Sequence, residues 1–153
     1  MPPLYALRGP PLRLRGPVVR GFGRGSAKMG FPTANIDPAA LGAALAEAPR
    51  GVYFGWASLG GGAPSKMVMN VGARPTFADG GGLTVEVHLL SSLGREFYGE
   101  ELRVVVGGFL RPELRFASLQ SLVARIRTDV GVARGVLDAP PLAALAEDSF
   151  LRF

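Results

Sequence analysis

Cysteine is absent from this 153-residue chain, histidine and tryptophan occur once each, and lysine stands only at 28 and 66. Without cysteine there are no disulfides and no thiolate metal sites, and a single histidine excludes a histidine-rich zinc centre. That histidine, His88, reads as a packed or strand-surface residue rather than a ligand. No apolar run approaches the roughly 20 residues of a membrane helix, and there is no repeat period or low-complexity tract. The first 36 residues hold no acid and several arginines, but their single serine makes them a poor transit peptide. The expected location is therefore cytoplasmic or organellar (plastid or mitochondrion), not secreted.

With lysine scarce, arginine supplies nearly all of the positive charge. The formal net charge is +5, yet the basic residues are scattered from Arg8 to Arg152, as ordinary solvated charges are. A basic surface attracts any polyanion, so nucleotide phosphates suit it as well as DNA does. The few aromatics (Phe22, Tyr53, Phe54, Trp56, Phe77) form no obvious stacking row. Neither a nucleic-acid nor a membrane partner is expected, and the chain is expected to be a monomer.

What is plentiful is glycine, with 22 residues, and proline, with 13, in a chain that is 48% hydrophobic. That mixture suits many short strands joined by tight turns, in one domain large enough to bury a core. Residues 1–15, proline-rich with Leu-Arg pairs, read as a loosely attached lead-in to a domain over 16–153. Strands are predicted at Gly16–Arg20, Thr33–Ile36, Gly51–Leu59, Lys66–Val71, Leu83–Ser91 and Leu102–Leu110. Gly60-Gly61-Gly62 and Asp79-Gly80-Gly81-Gly82 provide turns, and a short alanine-rich segment runs from Asp37-Pro38 to about Ala48. The period then changes: Leu119, Leu122, Val123, Ile126 and Val130 recur at helical spacing, with Ser118 as the candidate N-cap. Five or six strands followed by one amphipathic helix argue for a mainly β fold, a small closed barrel with a helix packed across it. Closure also protects the strand edges from pairing with other molecules.

Two segments carry chemistry. In the first, Gly21, Gly23, Gly25 and Gly30 allow backbone amides to converge on an anion, and Arg20, Arg24 and Lys28 add positive charge. Thr33 and Asn35, two apart in an extended segment, point to one face. A hydroxyl and an amide oxygen side by side are hard ligands of the kind Mg²⁺ accepts together with water and a substrate phosphate. The stretch is neither a Walker A loop nor a G-x-G-x-x-G fingerprint, and a plain glycine-rich surface loop is the competing reading. In the second segment Leu83, Val85, Val87 and Leu89 alternate with Thr84, Glu86, His88 and Leu90, which puts Glu86 mid-strand on the face opposite the aliphatic stripe. There it is either an ordinary solvent-facing strand residue or a general base held on a rigid element.

These segments resemble the riboflavin kinase family. The likeness is carried by Val18-Val19-Arg20-Gly21-Phe22-Gly23-Arg24-Gly25 with Gly30-Phe31-Pro32-Thr33-Ala34-Asn35, and by Gly51-Val52-Tyr53-Phe54-Gly55-Trp56-Ala57. It continues in Asn70-Val71-Gly72-Ala73-Arg74-Pro75-Thr76-Phe77, Val85-Glu86-Val87-His88-Leu89, Phe97-Tyr98-Gly99-Glu100 and Leu110-Arg111-Pro112-Glu113. Six motifs in register over about residues 16–130 make it specific. The resemblance implies a six-stranded Greek-key barrel with a long C-terminal helix, and transfer of phosphate from ATP to the ribityl hydroxyl of riboflavin, giving FMN and ADP. It implies Glu86 as the base that accepts the hydroxyl proton, and Thr33 and Asn35 as holders of Mg²⁺ against the nucleotide. Gly21, Gly23, Gly25, Lys28, Thr33, Leu89, Ser91 and Tyr98 would line the nucleotide side, and Arg111 and Ser121 the flavin side.

Two departures from the family pattern stand out. The lysine expected directly after Gly25-Ser26 is Ala27, with Lys28 one place later, and the segments before residue 16 and after Val136 match poorly. Two other readings stay open: a kinase module of a larger enzyme carrying an adenylyltransferase or phosphatase domain, and a non-catalytic barrel that binds flavin or an oligonucleotide. The set Thr33, Asn35 and Glu86 discriminates, because a passive binder needs neither a magnesium ligand pair nor a base.

Overall fold

A computed structural model describes residues 5–6, 12–19, 33–36, 49–74, 82–91, 99–140 and 142–153. Its strands are β1 (Tyr5–Ala6), β2 (Leu12–Val19), β3 (Thr33–Ile36), β4 (Gly51–Leu59), β5 (Ser65–Arg74), β6 (Gly82–Leu89) and β7 (Glu101–Pro112). All pair antiparallel in the order β1-β7-β2-β3-β6-β5-β4, and β4 also pairs with β7. Six strands therefore close into the expected barrel, while β1 continues the edge of β2 along β7. One long helix, α1 (Leu119–Leu137), and two short 3₁₀ turns (Leu142–Glu147 and Ser149–Leu151) follow the last strand.

The first long strand begins at Leu12 rather than Gly16. Leu14 enters the core with Leu12 packed beside it, while Arg13 and Arg15 are exposed. The Leu-Arg pairs thus express a strand period that the neighbouring prolines obscure. Residues 5–6 and 12–15 accordingly pair with β7. The turn predicted at residues 60–62 is present: Gly60 and Gly61 have φ of +58° and +79°, a region that favours glycine. Gly62 N–H donates to the Leu59 carbonyl at 3.0 Å. The segment predicted from Asp37 to Ala48 and most of the turn at 79–82 lie outside the described residues.

Side chains of the core cluster fill the inside of the barrel. Tyr53, Met67, Met69, Val71, Val85, Val87, Leu102 and Val104 are among the side chains that meet inside it. A second cluster lies outside, where Val130, Ala133 and Leu137 of α1 cover Val52, Phe54, Val68 and Leu110. Strand β4 is consequently covered on both faces, which explains why its sequence is apolar almost throughout. β7 keeps its pairing with β4 through register shifts near Tyr53 and Gly55, bulges of the kind that let a long strand bend. At Gly108 the Phe54 ring lies where a Cβ would be.

Helix α1 starts as predicted at Ser118, whose hydroxyl accepts from Ser121 N–H at 3.1 Å. Its buried residues are Asp129, Val130, Ala133 and Leu137, whereas Leu119 is 46% exposed. The helix is thus anchored by its C-terminal half. Beyond it the chain straps the barrel. Trp56 Nε1–H donates to the Leu142 carbonyl at 3.0 Å and Ser58 Oγ–H to the Leu151 carbonyl at 2.6 Å. The Arg103 guanidinium lies 5.1 Å and 4.0 Å from the Phe150 and Phe153 ring centres.

Candidate active site

Strand alternation decides what reaches the outer wall. On β3, Ala34 and Ile36 point inward, so Thr33 and Asn35 point out; on β6, Val85, Val87 and Leu89 point inward, so Thr84, Glu86 and His88 point out. Register then assembles these residues. Asn35 faces Glu86, Glu86 faces Asn70, Asn70 faces Val52, and Val52 faces Arg111. Directly opposed residues share a face, so one row runs around the outside of five strands with Glu86 between two asparagines. The next row is Thr33, His88, Val68, Phe54 and Gly108, and its apolar members lie under α1.

The two ends of this patch are held differently. Beyond Asn70, Gly72 leaves room for Glu113: a Cβ there would lie 2.8 Å from Glu113 Oε1 and 3.3 Å from Thr84 Oγ1. At the helix side, Arg111 is buried and donates to Asp129 of α1, with Nε at 3.0 and 3.1 Å from its two carboxylate oxygens and Nη2 at 2.8 Å. This paired fork ties the end of β7 to the middle of α1 and leaves the guanidinium committed to the protein. Arg125 Nε approaches the same carboxylate at 3.4 Å.

Glu86 is half-buried, and its Oε1 lies 3.6 Å from Nε2 of His88. His88 itself is buried. Loss of solvent pushes its pKa from 6.5 down to about 4, with the negative charge of Asp129 partly opposing. The imidazole next to Glu86 is thus neutral near pH 7. A hydroxyl, two amides and a carboxylate on one rigid wall can accept a proton and present oxygens to a cation, which is the equipment phosphoryl transfer requires.

Of the residues expected from the sequence, Thr33, Asn35 and Glu86 come together on this wall. Leu89 lies in the barrel interior, so only its backbone faces outward chemistry. Ser91 is past the end of β6, exposed, with its hydroxyl 2.8 Å from that of Ser65. Ser121 is exposed on the first turn of α1, beside Ser118. Gly21, Gly23, Gly25, Lys28 and Tyr98 lie outside the described residues. No role for Asn70, Thr84, Glu113 or Asp129 follows from the sequence alone. Asn70, a polar residue between apolar neighbours in a strand, gave a signal, but its relation to Glu86 depends on register. Among the described residues no group of three or more His, Cys, Asp or Glu side chains could hold a metal, and no helix is long and apolar enough to cross a membrane.

Comparison with known proteins bears on these residues. A family model described as "Flavokinase: Riboflavin kinase" matches residues 8–137. The chain is 45% identical over 141 residues to a bifunctional riboflavin kinase/FMN phosphatase of Arabidopsis thaliana, covering 92% of this chain but 37% of that protein. It is 40% identical over 146 residues to riboflavin kinase of Mus musculus, covering 95% of this chain and 94% of the mouse protein. The crystal structure of riboflavin kinase from Trypanosoma brucei superposes with a TM-score of 0.72 at 32% identity, covering 93% of this chain and 89% of that one.

Proposed function

The chain belongs to the riboflavin kinase family, and we propose that it transfers the γ-phosphoryl group of ATP to the terminal ribityl hydroxyl of riboflavin, giving FMN and ADP. The observation that carries this reading is the row Asn35, Glu86, Asn70, which sets a carboxylate between amides on the outer wall of a closed barrel. As the hydroxyl oxygen bonds to phosphorus, the bond from phosphorus to the bridging oxygen of ADP breaks, and Glu86 takes the hydroxyl proton. A primary alcohol is too weak an acid to ionise first, so the base acts while the new bond forms.

Mg²⁺ fits the donor set of β3. Thr33 and Asn35 offer two neutral hard oxygens from one face, and with no acidic cluster among the described residues an ion there would rely on phosphate and water for its remaining ligands, as Mg²⁺ commonly does. Bound there, the ion would neutralise phosphate charge. The nucleotide side is assigned to the glycine loop (Gly21, Gly23, Gly25), Lys28, Leu89 through its backbone, Ser91 and Tyr98. The flavin side is assigned to the loop after Arg111 and the start of α1 at Ser121, with Arg111 acting through its hold on Asp129. The kinase acts as a monomer, with a main body that includes β2 from Leu12 onward, and needs neither nucleic acid nor membrane.

The test is FMN formation from riboflavin and Mg-ATP, resolved by chromatography, in the parent and in Glu86→Gln. The amide keeps the shape and removes the basicity, so kcat should fall by about 10²–10⁴-fold while riboflavin and ATP still bind. A variant turning over within a few-fold of the parent would refute Glu86 as the base, and a parent that binds flavin but forms no FMN would favour a passive barrel.

A further inference from the structure

His88 is the one histidine of the chain, and its surroundings determine which of its nitrogens carries the proton. Thr33 and Val68 face it across the neighbouring strands, Asp129 approaches from α1, and Nε2 points toward Oε1 of Glu86 at 3.6 Å. Nδ1 is buried and has no hydrogen-bond partner among the described residues. A neutral imidazole has one N–H and one lone pair. With the proton on Nδ1, a buried donor would be orphaned and a lone pair would face a carboxylate. With the proton on Nε2, the donor faces the carboxylate and only an acceptor is left unpaired. Orphaned buried N–H groups are the rarer defect, and both considerations select the second tautomer. Asp129 is itself held by three hydrogen bonds from Arg111.

We infer that His88 is a positioning residue for Glu86, holding one carboxylate oxygen through Nε2–H so that the other faces the substrate hydroxyl. This rests on the reading of Glu86 as the base. The present separation is longer than a hydrogen bond, and it closes when the carboxylate turns to meet the hydroxyl, as contacts in substrate-free sites commonly do. The role is distinct from proton transfer: His88 stays neutral and touches neither substrate. It also explains why a polar side chain occupies a wall position that α1 otherwise covers with Val68 and Phe54.

Two measurements test it. Because the chain has a single histidine, a long-range ¹H–¹⁵N spectrum of protein labelled at histidine reports one imidazole without assignment. At neutral pH the expected pattern is the Nε2–H tautomer; an Nδ1–H pattern or an averaged mixture overturns the inference. The second measurement compares His88→Leu with His88→Gln, whose amide N–H reaches toward the position of Nε2. Leucine should lower kcat by about 10–100-fold, the range typical of outer-shell partners that orient a functional group, with the KM for riboflavin and for ATP changed less than threefold. Glutamine should recover most of kcat. Equal losses in the two variants, or losses confined to KM, would mean that His88 only packs. The spectrum is read on the parent protein, so it stands even if His88→Leu folds poorly. Retained turnover in Glu86→Gln refutes the base, whereas the wrong tautomer refutes only the role of His88.

Discussion

Replacing Asp129 by asparagine keeps the side-chain volume and removes the charge that faces Arg111. The two side chains are 3% and 8% exposed, so the guanidinium left behind cannot recover its hydration without local opening. Breaking a buried ion pair from one side costs about 3–5 kcal/mol, and in a domain of this size each kcal/mol shifts Tm by about 2–4 °C. The expected drop is therefore roughly 6–20 °C. Removing the other partner is less costly: after Arg111→Leu, Asp129 still has Arg125 at 3.4 Å, a residue with access to solvent. That asymmetry is the specific content of the prediction. The double variant Arg111→Leu/Asp129→Leu leaves no uncompensated charge and should be more stable than Asp129→Asn alone, since well-packed apolar replacements of buried pairs are often neutral or better. Urea melts of all four proteins, read by circular dichroism, supply the comparison. If Asp129→Asn lies within 1 kcal/mol of the parent, or if both single variants lose the same stability, the clamp does not carry the load assigned to it.

Thr33→Val and Asn35→Leu should each move the Mg²⁺ midpoint of activity to higher concentration. Their combined loss should fall well short of the sum, because both act on one ion; an unmoved midpoint in both variants refutes the ligand assignment. Gly131 and Gly135 lie in α1 with open space around the site of a Cβ, so alanine at each should raise stability by about 0.5–1 kcal/mol. By contrast, alanine at Gly55 would run into the Val105 carbonyl and lie 3.0 Å from the Met67 methyl, so denaturant melts should show a loss there. His88 supplies a pH dependence. Its folded pKa of about 4 lies below an unfolded value of about 6.5, so the unfolded chain takes up a proton that the folded chain refuses. The stability this provides is present above pH 6.5 and is lost as pH falls toward 4, by up to about 3 kcal/mol. The acid-induced loss in His88→Gln should be smaller than in the parent, and identical profiles would show that His88 is not protonated on unfolding in that range.

Much of the barrel is legible in the sequence because alternation is a local signal. Leu83 to Leu90 declares both its strand and the face of Glu86 without reference to anything else. The parts that are not legible depend on partners distant in the chain. Asn70 gains its meaning only when register sets it opposite Glu86, and no local pattern reports register. Asp129 falls within the apolar stripe of a helix, where a charge looks like a solvated residue until Arg111 is brought to it from β7. The helical period of Leu119, Leu122, Val123, Ile126 and Val130 identifies α1, but periodicity does not say which half is anchored. The structure buries Val130, Ala133 and Leu137 instead of Leu119. Leu12 to Arg15 is a different case: its alternation was present, and the prolines beside it made a strand look like a lead-in.

The filled barrel has a consequence for how this chain tolerates change. On β3 and β6 neighbouring residues answer to separate demands: Ala34, Ile36, Val85 and Val87 to close packing, and Thr33, Asn35, Glu86 and His88 to chemistry on the wall. Within each strand, substitutions should sort by the parity of residue number, with the even positions facing the core on β3 and the odd positions on β6. Variants at one parity would lose folded protein, and variants at the other would lose turnover while staying folded. A lineage could then repack the interior for a hotter or colder habitat without renegotiating its substrates. A designer could likewise alter Thr33, Asn35 or Glu86, which are only half-buried, while leaving melting behaviour nearly untouched. The place where this separation fails is β4, whose two faces are both core, so selection on stability should weigh most heavily there.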